Sequence, residues 1–260
     1  MRILVIGDIH GKPGRRILRS RLPGLRRTHD ADLVIANGEN AAGGAGITSD
    51  VIREIFGAGV DVITGGNHTW HNREAYETLD AEARLLRPAN YPPGVPGHGT
   101  ALVAVNGTTV GVLNLQGRIF MQGIDDPFRA AREHAQVLRE QAPIVVVDFH
   151  AEATSEKIAL GWYLDGRVSA VLGTHTHVQT ADERVLPGGT AYISDVGMTG
   201  PHDGVIGMER EGIIERFLTQ MPVRFTVASG AAQLNGVVLD VDESGGRARS
   251  IHRIQEFEEE

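Results

Sequence analysis

The chain contains no cysteine. Disulfides and thiolate metal ligands are therefore excluded. No apolar run approaches the roughly 18 residues that a membrane-spanning helix needs. The first residues enter a strand without a basic segment and an apolar stretch ahead of it, so a secretory signal is not expected. A cytoplasmic location is the expectation that fits both absences. Positive charge is also short: 25 Lys and Arg against 33 Asp and Glu give a net charge of -8. Broad coating of nucleic acid needs a basic surface and is excluded. A small nucleotide or a short RNA end is not, and nothing here excludes a homo-oligomer. Glycine is plentiful, with 33 residues, which suits many tight strand-to-loop transitions. The 260 residues are enough for one large α/β domain. With no repeat and no linker in view, one domain over residues 1–260 is expected.

Apolar, β-branched runs that stop abruptly set the pattern. Arg2-Ile3-Leu4-Val5-Ile6 stops at Gly7-Asp8-Ile9-His10. Asp32–Ala36 stops at Asn37-Gly38-Glu39-Asn40, and Val60–Thr64 at Gly65-Gly66-Asn67-His68. Ile144–Phe149 stops at His150, and Val168–Leu172 at Gly173-Thr174-His175-Thr176-His177. Between them, helices are predicted over Arg15–Leu22, from Thr48 or Ser49 to Gly57, and over Arg73–Leu86, Pro127–Glu140 and Ser155–Leu164. Asn106-Gly107 between two apolar runs signals a hairpin of Thr100–Val105 with Thr109–Leu115. From Thr190 onward the chain reads as β, with strands at Thr190–Ser194, Phe225–Ala228, Gln233–Val241 and Ala248–Ile254. Glu256–Glu260 reads as an acidic tail. Two mixed sheets with helices outside account for this order.

Each strand end carries a potential metal ligand, and an α/β sheet brings such ends together. Singly, Asp8, Glu39, Asn67-His68, His150 or His175/His177 could be turn, cap or interior residues. Jointly they form a donor set of oxygen and nitrogen without sulfur. That set suits Mn, Fe, Zn, Co or Ni better than Mg or Ca. A carboxylate such as Glu39 can bridge two cations, and a cation pair about 3.5–4 Å apart can clamp a phosphoryl group. Arg118 could reach a substrate phosphate or be a surface arginine. The same choice holds for Arg15 and Arg16, near a helix start. The loop Gly197–Gly207, with His202 and Asp203, could be a lid or rim, or simply structural.

Asp8-Ile9-His10, Gly38-Glu39-Asn40, Gly66-Asn67-His68, His150 and Gly173-Thr174-His175-Thr176-His177 resemble the signature of the calcineurin-like metallophosphoesterase superfamily, in its usual order. Gly38-Glu39-Asn40 and Asp195-Val196-Gly197-Met198-Thr199-Gly200-Pro201 resemble its bacterial YmdB-like branch. The resemblance implies an α/β fold of two mixed β-sheets packed face to face, with helices on the outer faces. It implies a phosphodiesterase acting on 2′,3′-cyclic nucleotides with two divalent or trivalent transition-metal ions, iron or manganese. By motif, one ion would take Asp8, Glu39, Asn40 and His177. The other would take Glu39, Asn67, His150 and His175. His68 would be the acid beside the leaving oxygen, with water activated by the metals attacking phosphorus. His10 stands either as a ligand or as a neighbour of ligands. The alternatives are a regulatory protein that binds a nucleotide or RNA end, and a broad phosphomonoesterase.

Overall fold

Alternation along the first strand decides the layering. In β1 (Arg2–Ile6), Ile3 and Val5 face one way and Leu4 and Ile6 the other, as the two-residue period of a strand requires. All four are buried, so this strand needs cover on both faces. The chain continues through β2 (Asp8–Ile9), α1 (Gly11–Thr28), β3 (Leu33–Asn37), α2 (Ser49–Gly57) and β4 (Val62–Thr64). A 3-10 turn (Arg73–Ala75), α3 (Tyr76–Ala81), β5 (Thr100–Val105), β6 (Thr108–Gln116), α4 (Pro127–Arg139), β7 (Ile144–His150), α5 (Thr154–Tyr163) and β8 (Ala170–Thr174) follow. The last elements are β9 (Arg184–Val185), β10 (Ala191–Ile193), β11 (Met198–Pro201), α6 (Arg210–Thr219), β12 (Ala232–Val241) and β13 (Ala248–Phe257). This computed structural model describes residues 1–258. Of the predicted acidic tail, Glu259 and Glu260 lie outside the described residues, and Glu256 and Phe257 belong to β13.

Among the described residues the strands form a seven-stranded sheet, β2-β11-β12-β1-β3-β4 with β13 along β12, and a six-stranded one, β5-β6-β7-β8-β10-β9. Strands β1, β3 and β4 run parallel in the first, as do β6, β7, β8 and β10 in the second. Ile3, Val5, Leu33 and Ile35 pack between the sheets against Val112, Ile144, Val146 and Leu172. Leu4 and Ile6 pack outward against Ile17, Leu18 and Leu22 of α1 and Ile55 of α2. On the other side Leu113, Val145, Val147 and Phe149 meet Ala131, Ala135 and Leu138 of α4 and Leu160 of α5. The expected sandwich of two mixed sheets with helices outside is the fold observed. Among the described residues no helix is long and apolar enough to cross a membrane.

Local chemistry explains the boundaries. Asn106 and Gly107 both have positive φ, +49° and +84°, as the tight hairpin turn between β5 and β6 requires. Asp126 caps α4 by accepting from the amides of Phe128 and Arg129, with Pro127 in the first turn. Several elements differ from expectation. The helix predicted over Arg73–Leu86 ends at Ala81. Leu85 and Leu86 are instead extended, bridging Ile63 and His98, because burying both leucines beside the sheet outweighs helical continuation. Phe225–Ala228 is no strand; Val227 makes a single bridge to Met208. Helix α6 replaces expected β structure. Only Ile213 of its apolar residues is buried, while Ile214, Phe217 and Leu218 are exposed, so it shows no clean buried stripe. The loop beginning at Gly197 contains β11, which pairs with Asp8 and Ile9.

Candidate metal centre

Parallel strands deliver their carboxyl ends to one edge of the sandwich. There His150, the last residue of β7, is the meeting point. Its Nε2 lies 3.0 Å from Asn67 Oδ1, 3.0 Å from His175 Nδ1 and 3.2 Å from Glu39 Oε1. Ligand atoms of Glu39, His150 and His175 all fall within 4.8 Å of one another. Asp8 completes the group from the other side. Its Oδ2 accepts from the His175 amide at 3.2 Å, and its Oδ1 faces His150 Nδ1 at 3.7 Å and His177 Nε2 at 4.0 Å. That Oδ1 is enclosed and has no hydrogen-bond partner among the described residues. A buried carboxylate oxygen left so is costly, and a cation between it and the histidine nitrogens would satisfy it. Gly66 is required here, since a Cβ would come within 2.4 Å of both His150 and Glu39.

The electrostatics fit the same arrangement. Burial pushes the Asp8 carboxyl up to about 6, with His177 and His150 partly opposing. Burial also works against the charged forms of Glu39 and His150, but their mutual attraction prevails. Glu39 is held well below the usual carboxylate range, and His150 is pushed up to about 9 by Glu39 and then Asp8. His175 falls to about 3 through burial and the charge on His150. A proton on His150 thus balances two buried carboxylates, a task a cation would take over on displacing it.

His68 stands at the rim with its side chain 40% exposed. Its amide donates to Glu39 Oε2 at 3.0 Å, and its Nδ1 donates to Asn40 Oδ1 at 2.8 Å. The Asn40 amide nitrogen faces Glu39 Oε1 at 2.8 Å and His177 Nε2 at 3.2 Å. Asn40 therefore orients His68, and its nitrogen rather than its oxygen points at the acidic centre. His10 is buried beside His177, ring centroids 5.5 Å apart, with both ring nitrogens unpartnered among the described residues. Burial, then His177, lowers it to about 3. Arg118 follows Gly117, whose amide donates to the His150 carbonyl at 2.9 Å, and its guanidinium pairs with Asp126 at 3.1 Å. Arg15 pairs with Glu54 and Arg16 with Glu258. Ile206, in the loop after β11, accepts from His177 Nδ1 at 3.0 Å.

Sequence reasoning missed Asp148. This fully buried carboxylate in β7 accepts from Asn37 of β3 at 3.1 Å and from Thr64 of β4. It also accepts from Thr174 of β8 at 2.7 Å, and Thr174 Oγ1 in turn meets His150 Nδ1 at 3.0 Å. One side chain so ties both sheets together beneath the site. The available signal was the lone charge in Ile144-Val145-Val146-Val147-Asp148-Phe149. Asp148→Ala strands three buried donors and is expected to cost about 2–5 kcal/mol of stability. A shift of the urea midpoint checks this; an unchanged midpoint refutes the network's importance.

The layering and the donor-lined edge define a calcineurin-like phosphoesterase fold. It is shared with the calcineurin-like phosphoesterase YfkN of Bacillus subtilis at a TM-score of 0.62 and 12% identity, covering 99% of this chain and 90% of that one. More narrowly, the sequence profile of the YmdB-like protein family matches residues 4–254, and the chain belongs to that family. It is 54% identical over 254 residues to the 2′,3′-cyclic-nucleotide 2′-phosphodiesterase of Bacillus subtilis, covering 98% of this chain and 96% of that protein. A crystal structure of a protein from Thermus thermophilus superposes with a TM-score of 0.94 at 47% identity, over 100% of both chains. That of a phosphatase from Mycoplasma pneumoniae superposes with a TM-score of 0.93 at 36% identity, over 99% of this chain and 93% of that one.

Proposed function

We propose that this chain is a metal-dependent phosphodiesterase that opens the five-membered ring of 2′,3′-cyclic nucleotides, free or at RNA ends. The observation that carries the reading is the convergence of Glu39, Asn67 and His175 on His150 Nε2 beside the unpartnered oxygen of Asp8. The 54% identical phosphodiesterase supports the substrate class. Asp8, Glu39, Asn40 and His177 would hold one cation, and Glu39, Asn67, His150 and His175 the other. Asn40 would offer Oδ1, which has a second lone pair beside the one that accepts from His68 Nδ1. Iron or manganese suits this set of oxygen and nitrogen donors. When bound, the pair supplies Lewis-acid stabilisation of the phosphoryl oxygens and lowers the pKa of water.

The chain's own groups do the rest. With Nδ1 donating to Asn40, His68 turns Nε2 toward the open rim. Protonated there, it hands its proton to the ribose oxygen as water oxygen bonds to phosphorus and the ring P–O bond breaks; the proton the water gives up passes to solvent, from which His68 is reprotonated. Burial of Asp8, Glu39 and His150 excludes bulk water from the floor of the site and keeps the charges fixed. One domain over residues 1–260 would carry the activity, because donors from both sheets are needed.

The test compares hydrolysis of 2′,3′-cyclic AMP, 3′,5′-cyclic AMP and p-nitrophenyl phosphate by manganese-loaded protein. Selective turnover of the 2′,3′ ring is expected. Equal turnover of p-nitrophenyl phosphate would replace the reading with a broad phosphomonoesterase. No turnover with metal bound would replace it with a binding protein.

A further inference from the structure

His175 and His177 are separated by one residue, yet they serve opposite halves of the site. His175 Nδ1 goes to His150, while His177 Nε2 goes to Asp8 and Asn40. Both have left-handed backbones, φ +97° and +67°, a conformation that β-carbon sterics disfavour and that surrounding contacts must hold. The residue between them, Thr176, is gripped from behind. Its amide and its hydroxyl both donate to Asp195 Oδ2, at 3.0 and 2.6 Å. Lys157 of α5 donates to the same oxygen at 2.7 Å, and Gly197 donates to Oδ1 at 2.8 Å. Thr180 fixes the Asp195 backbone from both sides, through Oγ1 at 2.9 Å and its amide at 3.0 Å. The Asp195 and Lys157 side chains are each 1% exposed.

A buried ion pair is a poor stabiliser compared with apolar packing of the same volume. Its location matters more. We propose that the Lys157–Asp195 pair is a positioning device that, by holding Thr176, splays His175 and His177 into two separate cation sites. The proposal rests on the metal-centre reading above. Neither Lys157 nor Asp195 would touch a cation or substrate. The pair acts on the geometry of the tripeptide alone, and so on the affinity and coupling of the two ions.

The test titrates Mn²⁺ calorimetrically into the metal-free full chain. It also records the electron paramagnetic resonance spectrum of the loaded protein and the melting point without metal. Thr176→Val removes only the hydroxyl arm of the grip. It is expected to keep the metal-free melting point and to weaken Mn²⁺ binding about 10-fold, within the range found for partners that orient metal ligands. The double variant Lys157→Met/Asp195→Leu removes both charges together. It is expected to weaken binding about 100-fold and to lose the spectrum of a coupled manganese pair. Wild-type affinity and spectrum in both variants would overturn the proposal. So would an affinity loss matched by an equal loss of melting point in Thr176→Val, the signature of a purely structural role. Should the double variant not fold, Thr176→Val decides alone. Wild-type protein that takes up no Mn²⁺ would overturn the metal-centre reading and this proposal with it.

Discussion

His68→Ala is expected to leave both cations bound and to lower turnover of 2′,3′-cyclic AMP by about 10²–10⁴-fold, the range for loss of a general acid. The backbone amide of residue 68, which donates to Glu39 Oε2, survives the substitution. The ring is 40% exposed, so its removal opens no buried cavity. Asn40 loses a donor but keeps its contacts with Glu39 and His177. Metal content of the variant separates the outcomes: loss of metal together with activity would sink the assignment of His68 as acid. A substrate whose leaving group needs no proton, such as bis(p-nitrophenyl) phosphate, is expected to suffer far less. An equal loss on both substrates would point to binding rather than proton transfer.

Glu39→Gln is expected to have the larger effect. The carboxylate uses both oxygens, one toward His150 and Asn40 and the other toward the His68 amide. A glutamine of the same shape must turn its NH₂ group toward a donor whichever way it sits. Bound Mn²⁺ is expected to fall from two ions to one or none. Turnover should fall by more than the roughly 10²–10⁴-fold expected for His68→Ala, because the cations are lost as well. The metal-free protein offers an independent readout. His150 is raised in the fold from 6.5 to about 9. A raised pKa contributes stability that is fully present below 6.5 and lost as pH rises through about 9. Metal-free wild type should therefore melt at falling temperature between pH 6.5 and 9. Without the Glu39 charge that slope should flatten. An unchanged slope would mean that Glu39 does not hold the proton on His150.

Asp8, Glu39, Asn67, His68, His150, His175 and His177 could be singled out because each follows an apolar run. Parallel strands must bring such ends together, whatever the details of packing. The Asn106-Gly107 turn was legible because both residues accept positive φ. The unbroken apolar, β-branched run Ile3–Ile6 marked a buried strand. All these signals are local: an apolar run, a turn pair, an abrupt stop.

The rest was decided by contacts between distant segments, to which local periodicity is blind. Asp148 reads as an oddity in a strand until Asn37 and Thr64 arrive from the other sheet. Lys157 and Asp195, 38 positions apart, have no shared pattern until α5 and the end of β10 close over Thr176. Arg118 has Asp126, at the start of α4, against its guanidinium, a pairing that no local pattern announces. Helix α6 escaped notice because it buries so little of itself. The sequence alone determined which chemistry would be gathered at the strand ends, since that follows from strand direction and residue type. The tertiary structure decided which atom faces which, since hydrogen-bond geometry between sheets depends on how the whole core packs.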